Sequence, residues 1–406
     1  MQWRLIIKNK KILVIGAGSY QTDAIQRAKD LGYIVLASDG CPNAPGLAIA
    51  TEGRVIDVTD VAANLAWAKE AKIDGVISYA SDIALATVLA IREALDLPGL
   101  NKGPLQVSLD KSQQRVLFAE KGLSQPKFSV VTCADELDDA AQKLGFPLVL
   151  KPVDNSGSRG ISMVVDYQEL RVAFEGAYEH SQKGQVILEE FVKGTELTVE
   201  GISIDGKHHI LAISDKYKPE GAYRVATQLA YPAAISEKTR QEVIELMTQA
   251  YNAAEVDNTP THSEVIITLE GRPKIIEVGC RGGGFYVFTR VVQAVSNYDI
   301  VGNWTRLCLG DPLEPIVREN KGAVLRFFVA HPGKLLTISG FEEAMTLPGV
   351  SGGLFVKPGE IVPELKTDGS RTGWIIVTGE TREACITVAD RAFELVRFES
   401  EVASSD

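Results

Sequence analysis

Apolar positions along this chain change rhythm where its units change. Over the first hundred residues, β-rich apolar runs at 11–18, 33–40, 53–58 and 74–79 alternate with helical stretches at 19–32, 61–71 and 84–95. Strands that alternate with helices predict a parallel sheet covered on both faces. Pro98-Gly99 and Gly103-Pro104 then punctuate the chain and set a boundary near residue 104. From Asp110 the texture becomes α+β. Helices at 110–122, 134–145 and 167–181 are interleaved with strands at 127–132, 146–153 and 185–192, which are expected to pair antiparallel. Strands at 196–204, 208–216 and 228–234 surround a polar loop at 216–227, and a helix at 236–254 leads into a hairpin. One helix is expected over 291–310. Short strands and turns beyond 311 close on a helix at 381–398, as a small β-rich appendage.

The hairpin is the most informative stretch. Its β-rich runs, 264–269 and 274–278, flank Glu270-Gly271-Arg272-Pro273. With Glu270 and Gly271 as the turn, Leu269 faces Arg272, and the same register sets Glu264 opposite Glu277. Carboxylates facing each other across a strand pair lie roughly 4.5–5.5 Å apart and repel. Such a pair is stable if something positive lies between its members. A hard divalent cation is suited to this, since Mg²⁺ takes one or two carboxylates together with phosphate oxygens. Arg281 follows four residues after Glu277, and Gly282-Gly283-Gly284 allows close approach of the backbone to a ligand. A single Glu there would instead be a solvated hairpin edge.

Composition narrows the partners. At 406 residues the chain calls for two to four structural units, and 45% apolar with 23% charged residues is globular. A net charge of −11 disfavours nucleic acid and anionic membrane surfaces as partners. No apolar run has the length of a membrane span. The N-terminal apolar run leads into a strand and glycine turn rather than a cleavage site. The five cysteines, Cys41, Cys133, Cys280, Cys308 and Cys385, are scattered and odd in number. They fit reduced thiols of a cytoplasmic protein.

Three further stretches carry candidate chemistry. Lys151 closes an apolar strand just before Asp154-Asn155-Ser156-Gly157-Ser158-Arg159-Gly160. An ammonium beside small residues with open N–H groups suits phosphate oxygens, although an ordinary hairpin turn has the same composition. Glu189-Glu190-Phe191-Val192, followed by Gly194-Thr195-Glu196, is a strand end that could offer backbone to an adenine edge and a carboxylate to ribose hydroxyls. Lys111 sits at a helix start, unfavourable for a cation unless an anion is near. Gly16-Ala17-Gly18 with Asp39 downstream invites a dinucleotide reading, but Gln21 replaces the third glycine, and a tight strand-to-helix turn is favoured over NAD.

Taken in order, Lys111, Lys151, the Gly157-Ser158-Arg159-Gly160 loop, the run Glu189 to Glu196, and Glu264 with Glu277 and Arg281 resemble the ATP-grasp superfamily. Carboxylate–amine ligases such as dipeptide-forming amino-acid ligases resemble it best, with carbamoyl-phosphate-synthase-like and phosphoribosylamine–glycine-ligase-like proteins. The resemblance implies an α/β and α+β ATP-grasp fold: a Rossmann-like domain at 1–104, a small ATP lobe at 105–190, a large lobe with the metal site at 191–310, and an appendage at 311–406. It implies ATP, with Mg²⁺ or Mn²⁺ as two ions. By position, Lys111 and Lys151 hold phosphates, Ser156, Gly157, Ser158 and Gly160 form the lid loop, Glu189, Glu190, Phe191 and Val192 line adenine, and Glu196 takes the ribose. Glu264 and Glu277 are the implied metal ligands, and Arg281 steadies the transferred phosphoryl group and a substrate carboxylate. His262, Gly283 and Gly284 are candidates for substrate contact, with His262 available to the amine's proton. Tyr223, Arg224, Arg290 and Arg306 are candidates for anion recognition. Many relatives carry an Asn where this chain has Gly279, which affects the second ion's shell. The implied activity joins a carboxylate to an amine through an acyl phosphate, releasing ADP and phosphate. The partners implied are small molecules, and the resemblance leans towards a homodimer. A non-catalytic nucleotide sensor or scaffold on the same fold is the competing reading.

Overall fold

The computed structural model describes residues 9–101, 103–155, 157, 159–219, 225–317 and 319–402. Strands Glu52–Val55, Ile34–Asp39, Lys11–Ile15 and Gly75–Ile77 lie in that order in a wholly parallel sheet, as the alternation predicted. Alternate residues of the same strands enter different cores. Ile12, Val14, Val35 and Ile77 pack with helix Thr22–Asp30 on one face; Leu13, Ile15, Leu36 and Val76 pack with helices Val61–Ala71 and Leu85–Leu95 on the other. Both faces are thereby buried, which a parallel sheet requires.

The second sheet is antiparallel, in the order Phe128–Val131, Val186–Glu190, Leu148–Pro152, Ser162–Val164. Helices Leu137–Leu144 and Tyr167–Glu179 cover one side of it. The largest sheet has eight strands: Pro273–Gly279, Thr259–Thr268, Gly194–Ile204, Lys207–Tyr217, Gln228–Tyr231, Gly322–Phe328, Gly373–Gly379 and Val350–Leu354. It therefore draws strands from both sides of residue 310. A three-stranded sheet of Ile361–Val362, Gly333–Ser339 and Arg397–Val402 completes the C-terminal region. Among the described residues, no helix is long and apolar enough to cross a membrane.

The eight-stranded sheet is amphipathic in its first four strands. Leu197, Val199, Ile213, Val265, Ile275 and Val278 share a core with Val243, Met247 and Ala250 of helix Glu237–Ala253. Side chains alternate across a strand, so Glu196, Thr198 and Glu200 must point to the opposite face, with their cross-strand partners His262 and Glu264. That face is polar.

Two expectations needed revision. The single helix over 291–310 is a π-helical turn, Val287–Val291, followed by helices Val292–Ser296 and Ile300–Cys308. Asn297 adopts a left-handed conformation (φ 52°), and the Asp299 carboxylate accepts from the Gly302 N–H at 3.0 Å. Both are stop and start signals that the apolar pattern overrides when read alone. Asp299 also accepts from Arg27 at 2.7 Å and so ties the new helix to the N-terminal unit. The hairpin loop is also wider than expected. Gly271 N–H donates to the Thr268 carbonyl, and Gly271 has φ 77°, giving the three-residue loop Leu269-Glu270-Gly271.

Asp299→Ala removes both the cap and the tie to Arg27. It is expected to lower stability by about 1–2 kcal/mol in urea unfolding.

Candidate active site

A one-residue difference in the loop should have moved Glu277 away from Glu264. It does not. Ile267 pairs with Pro273, Ile266 with Lys274 and Val265 with Ile275, but Glu264 pairs with Glu277, so Ile276 is an unpaired bulge that restores the register. The bulge carbonyl is not wasted: Arg115 Nη2 donates to Ile276 O at 2.6 Å. Arg115 lies on helix Lys111–Glu120, and its neighbour Gln114 bonds both the N–H and the carbonyl of Val278. One helix thus grips the strand that carries Glu277.

The opposed carboxylates are as the sequence predicted, but the positive charge beside them comes from the chain itself. Lys216 ion-pairs with Glu264 and lies 3.2 Å from Glu196, whose other partner is Lys218 at 2.5 Å. On the Glu277 side, Lys111 Nζ stands 3.3 Å from the carboxylate and donates to the Asn155 carbonyl at 2.7 Å. Burial alone would raise the Glu264 pKa and lower that of Lys216. The mutual attraction outweighs it, holding Glu264 below the usual carboxylate range and Lys216 above the usual amine range. Among the described residues no three or more His, Cys, Asp or Glu side chains converge as a metal cage. Two carboxylates alone suit an ion that completes its shell with phosphate and water oxygens.

Beside this row lies a second one. Glu200, fully buried, holds His262 through Nδ1 at 2.7 Å. Thr198 and Ser214 share a 2.7 Å hydrogen bond, and Thr198 also meets the Tyr231 hydroxyl at 3.2 Å. Arg281 leaves the end of the hairpin and meets Asp82 of the N-terminal unit, its Nε 3.0 Å from both carboxylate oxygens and Nη2 2.9 Å from one. Gly279 lies beneath this guanidinium: a Cβ there would stand 3.1 Å from the His262 carbonyl and 3.8 Å from the Arg281 carbon. The three glycines differ in reason. A side chain at Gly282 would strike Phe288, and one at Gly283 would crowd Val287, His262 and Glu200, so internal packing demands both. Only Gly284 faces open space. Burial pushes the Cys280 thiol up to about 12, far from a nucleophile's range.

On the small sheet, Lys151 Nζ is 2.8 Å from Glu189, and Arg115 Nε is 2.8 Å from the other oxygen of the same carboxylate. Despite complete burial, the two cations hold Glu189 down at about 2. Its side chain is committed internally, and its backbone is paired with Phe128 on one side and Val149 on the other. Glu190 pairs with Lys274 of the hairpin at 2.5 Å, while the Glu190 and Phe191 N–H groups donate to the Lys127 and Pro147 carbonyls. Val192 then begins the crossing to the large sheet. Gly157 and Gly160 both have positive φ, 70° and 72°, and a Cβ on Gly157 would meet nothing within 4 Å. Ser156, Ser158, Tyr223 and Arg224 lie outside the described residues.

Other candidates serve the framework. Arg306 is buried against Glu314 at 2.8 Å, and Arg290 pairs with Asp23 at 2.5 Å while stacking on Tyr286. Asp39 accepts from Ala17 N–H at 2.8 Å and Cys41 N–H at 2.9 Å, bracing its own turn instead of awaiting a ribose. Sequence reasoning overlooked Lys216 and Lys218 as site residues, along with Glu200, Asp82 and Arg115. The lysines had a signal, since positions two apart near a strand end share a face; Asp82 and Arg115 had none without the tertiary contacts.

The chain matches an ATP-grasp domain over residues 144–289 and the L-amino acid ligase C-terminal domain 2 over residues 326–401. A formate-dependent phosphoribosylglycinamide formyltransferase of Actinobacillus pleuropneumoniae is 25% identical over 94% of this chain and 95% of its own length. An uncharacterised protein of Sinorhizobium fredii is 28% identical over 93% of this chain and 80% of its own. Among solved structures, an L-amino acid ligase from Bacillus licheniformis superposes with a TM-score of 0.85 at 24% identity, covering 97% of this chain and all of that one.

Removing Glu189 would strand two buried cations. Glu189→Ala is expected to cost about 3–5 kcal/mol in denaturant unfolding, far above the loss from a residue that merely lines a ligand.

Proposed function

Because the chain carries an ATP-grasp domain whose relatives include C–N-bond-forming ligases, we propose that it is an ADP-forming carboxylate–amine ligase. The observation that carries this reading is the directly paired Glu264 and Glu277, flanked by Lys111 and Lys216, with Arg281 two residues beyond the strand. Residues 1–104 then act as a platform that supplies Asp82, 105–190 as the small lobe with Lys111 and Lys151, 191–310 as the large lobe with the carboxylates, and 311–406 as an appendage continuous with its sheet.

ATP lies between the second and third sheets in this reading, with adenine at the hinge around Val192, ribose at Glu196 and phosphates at Lys111 and Lys151. Glu264 and Glu277 fit magnesium by their pairing and donor chemistry; when bound, it supplies charge neutralisation to the nucleotide phosphates. A substrate carboxylate resists amine attack because its own charge and an oxide leaving group both oppose it. Its oxygen therefore attacks the γ-phosphorus, the bond to the bridging β–γ oxygen breaks, and ADP departs. The resulting acyl phosphate has a good leaving group. The amine adds to the acyl carbon, Arg281 and the backbone at Gly284 face the developing oxyanion, and phosphate leaves with the C–O electron pair. His262, oriented by Glu200, stands on the same face to take the amine's proton. No covalent enzyme nucleophile enters.

The juxtaposition of Asp82 and Arg281 supports amino acids as substrates. A carboxylate and a guanidinium side by side offer opposite partners to the ammonium and carboxylate of a zwitterion. The test is ADP and phosphate release across pairs of amino acids, with the coupled product read by mass. Release that requires both members of a pair is the expected result; nucleotide binding without turnover across the panel would overturn the reading.

Glu277 is partly exposed, and Lys111 keeps its bond to Asn155 without it. Glu277→Ala should thus fold normally by circular dichroism yet lose at least a hundredfold in ADP formation, an order typical of removing one electrostatic partner of a transition state. Turnover near the wild-type rate would refute the assignment.

A further inference from the structure

The ion pair between Lys216 and Glu264 stands outside the hydrophobic core. It lies on the polar face, while the opposite face of the same strands carries the core with helix Glu237–Ala253. Lys216 sits near the end of strand Lys207–Tyr217, its ammonium reaching both Glu264 and Glu196, with the side chain 11% exposed. Together Lys216, Lys218, Glu196 and Glu264 sum to zero charge, so the row is balanced before any ligand arrives.

We propose that Lys216 is an internal counter-ion that closes the metal position at Glu264 in the nucleotide-free protein and moves to the incoming phosphates when nucleotide brings metal with it. The inference rests on Glu264 being a metal ligand, as in the function proposed above. A bare divalent ion at Glu264 would meet the ammonium at close range and add two uncompensated charges to a neutral row. Nucleotide changes the sign of the problem. Its phosphates supply the missing negative charge and give the ammonium somewhere to go, and the four-carbon lysine stem turns without moving the strand. Glu196, to which Lys216 also points, keeps Lys218 as its partner through the same exchange. Metal and nucleotide therefore bind together, and metal alone binds weakly.

The test uses Mn²⁺ as the probe on the full-length protein, read by water proton relaxation, which separates protein-bound Mn²⁺ from its complex with free ADP. Wild-type protein is expected to bind Mn²⁺ at least tenfold more weakly without ADP than with it. Lys216→Met is expected to bind Mn²⁺ alone at least tenfold more tightly than wild type, Lys216→Arg no more tightly, and Lys216→Met with Glu264→Gln to lose the gain. Equal Mn²⁺ binding by wild type with and without ADP overturns the proposal, and this comparison needs no variant to fold. So does a folded Lys216→Met that binds Mn²⁺ no better than wild type. If Glu264→Gln retains full binding of Mn²⁺ in the presence of ADP, the metal assignment itself has failed; if that variant loses binding while Lys216→Met gains none, only the counter-ion has.

Discussion

Like charges on directly paired residues of neighbouring strands cannot be left bare, and the architecture around Glu264 and Glu277 follows from that. Two unit charges about 5 Å apart repel by about 3 kcal/mol at an effective dielectric of 20, a sizeable fraction of the stability of a typical domain. The compensating lysines come from different places. Lys216 lies on a strand of the same sheet, and Lys111 opens a helix that packs across the hairpin. The carboxylate pair can thus form only once three segments far apart in the chain have met, so the site and the fold are completed together.

Much of this was legible in the sequence. Strict alternation of strand and helix yields the parallel N-terminal sheet, and alternation within strands sorts Val265 and Ile275 from Glu264 and Glu277. The pairing of the two carboxylates was predicted correctly from a register that is off by one near the turn. Two departures cancel: a three-residue loop shifts the strands one way, and the bulge at Ile276 shifts them back. Neither is visible locally, because the bulge is held by Arg115, which local pattern cannot connect to it. The broken helix at Asn297 had visible signals, and the apolar run masked them. The partners of the site residues were the least legible part, since Asp82, Glu200 and Lys216 acquire meaning only from what lies across from them.

Arg115 has a connecting place in this arrangement. One of its nitrogens holds the carbonyl of the bulge that sets Glu277, and another holds Glu189, which in turn holds Lys151. The strand bearing a proposed phosphate ligand and the strand bearing a proposed metal ligand are therefore linked through one buried guanidinium. Glu190 and Lys274 add a second, more exposed link, between the strand of Glu189 and that of Glu277. The glycine run is governed by similar internal demands: Gly282 and Gly283 are small because Phe288, Val287, His262 and Glu200 press on them, which leaves Gly284 as the open position.

The grip of Asp82 on Arg281 reaches from a loop of the parallel sheet into the chemistry of another sheet. Under the proposed function, changes in that loop would alter the surroundings of Arg281 while the paired Glu264 and Glu277 stay untouched. Grafting a foreign N-terminal unit onto this body would exchange the counter-charge of Arg281, and in the proposed ligase laboratory recombination at that seam would retune the substrates joined without redesigning their activation.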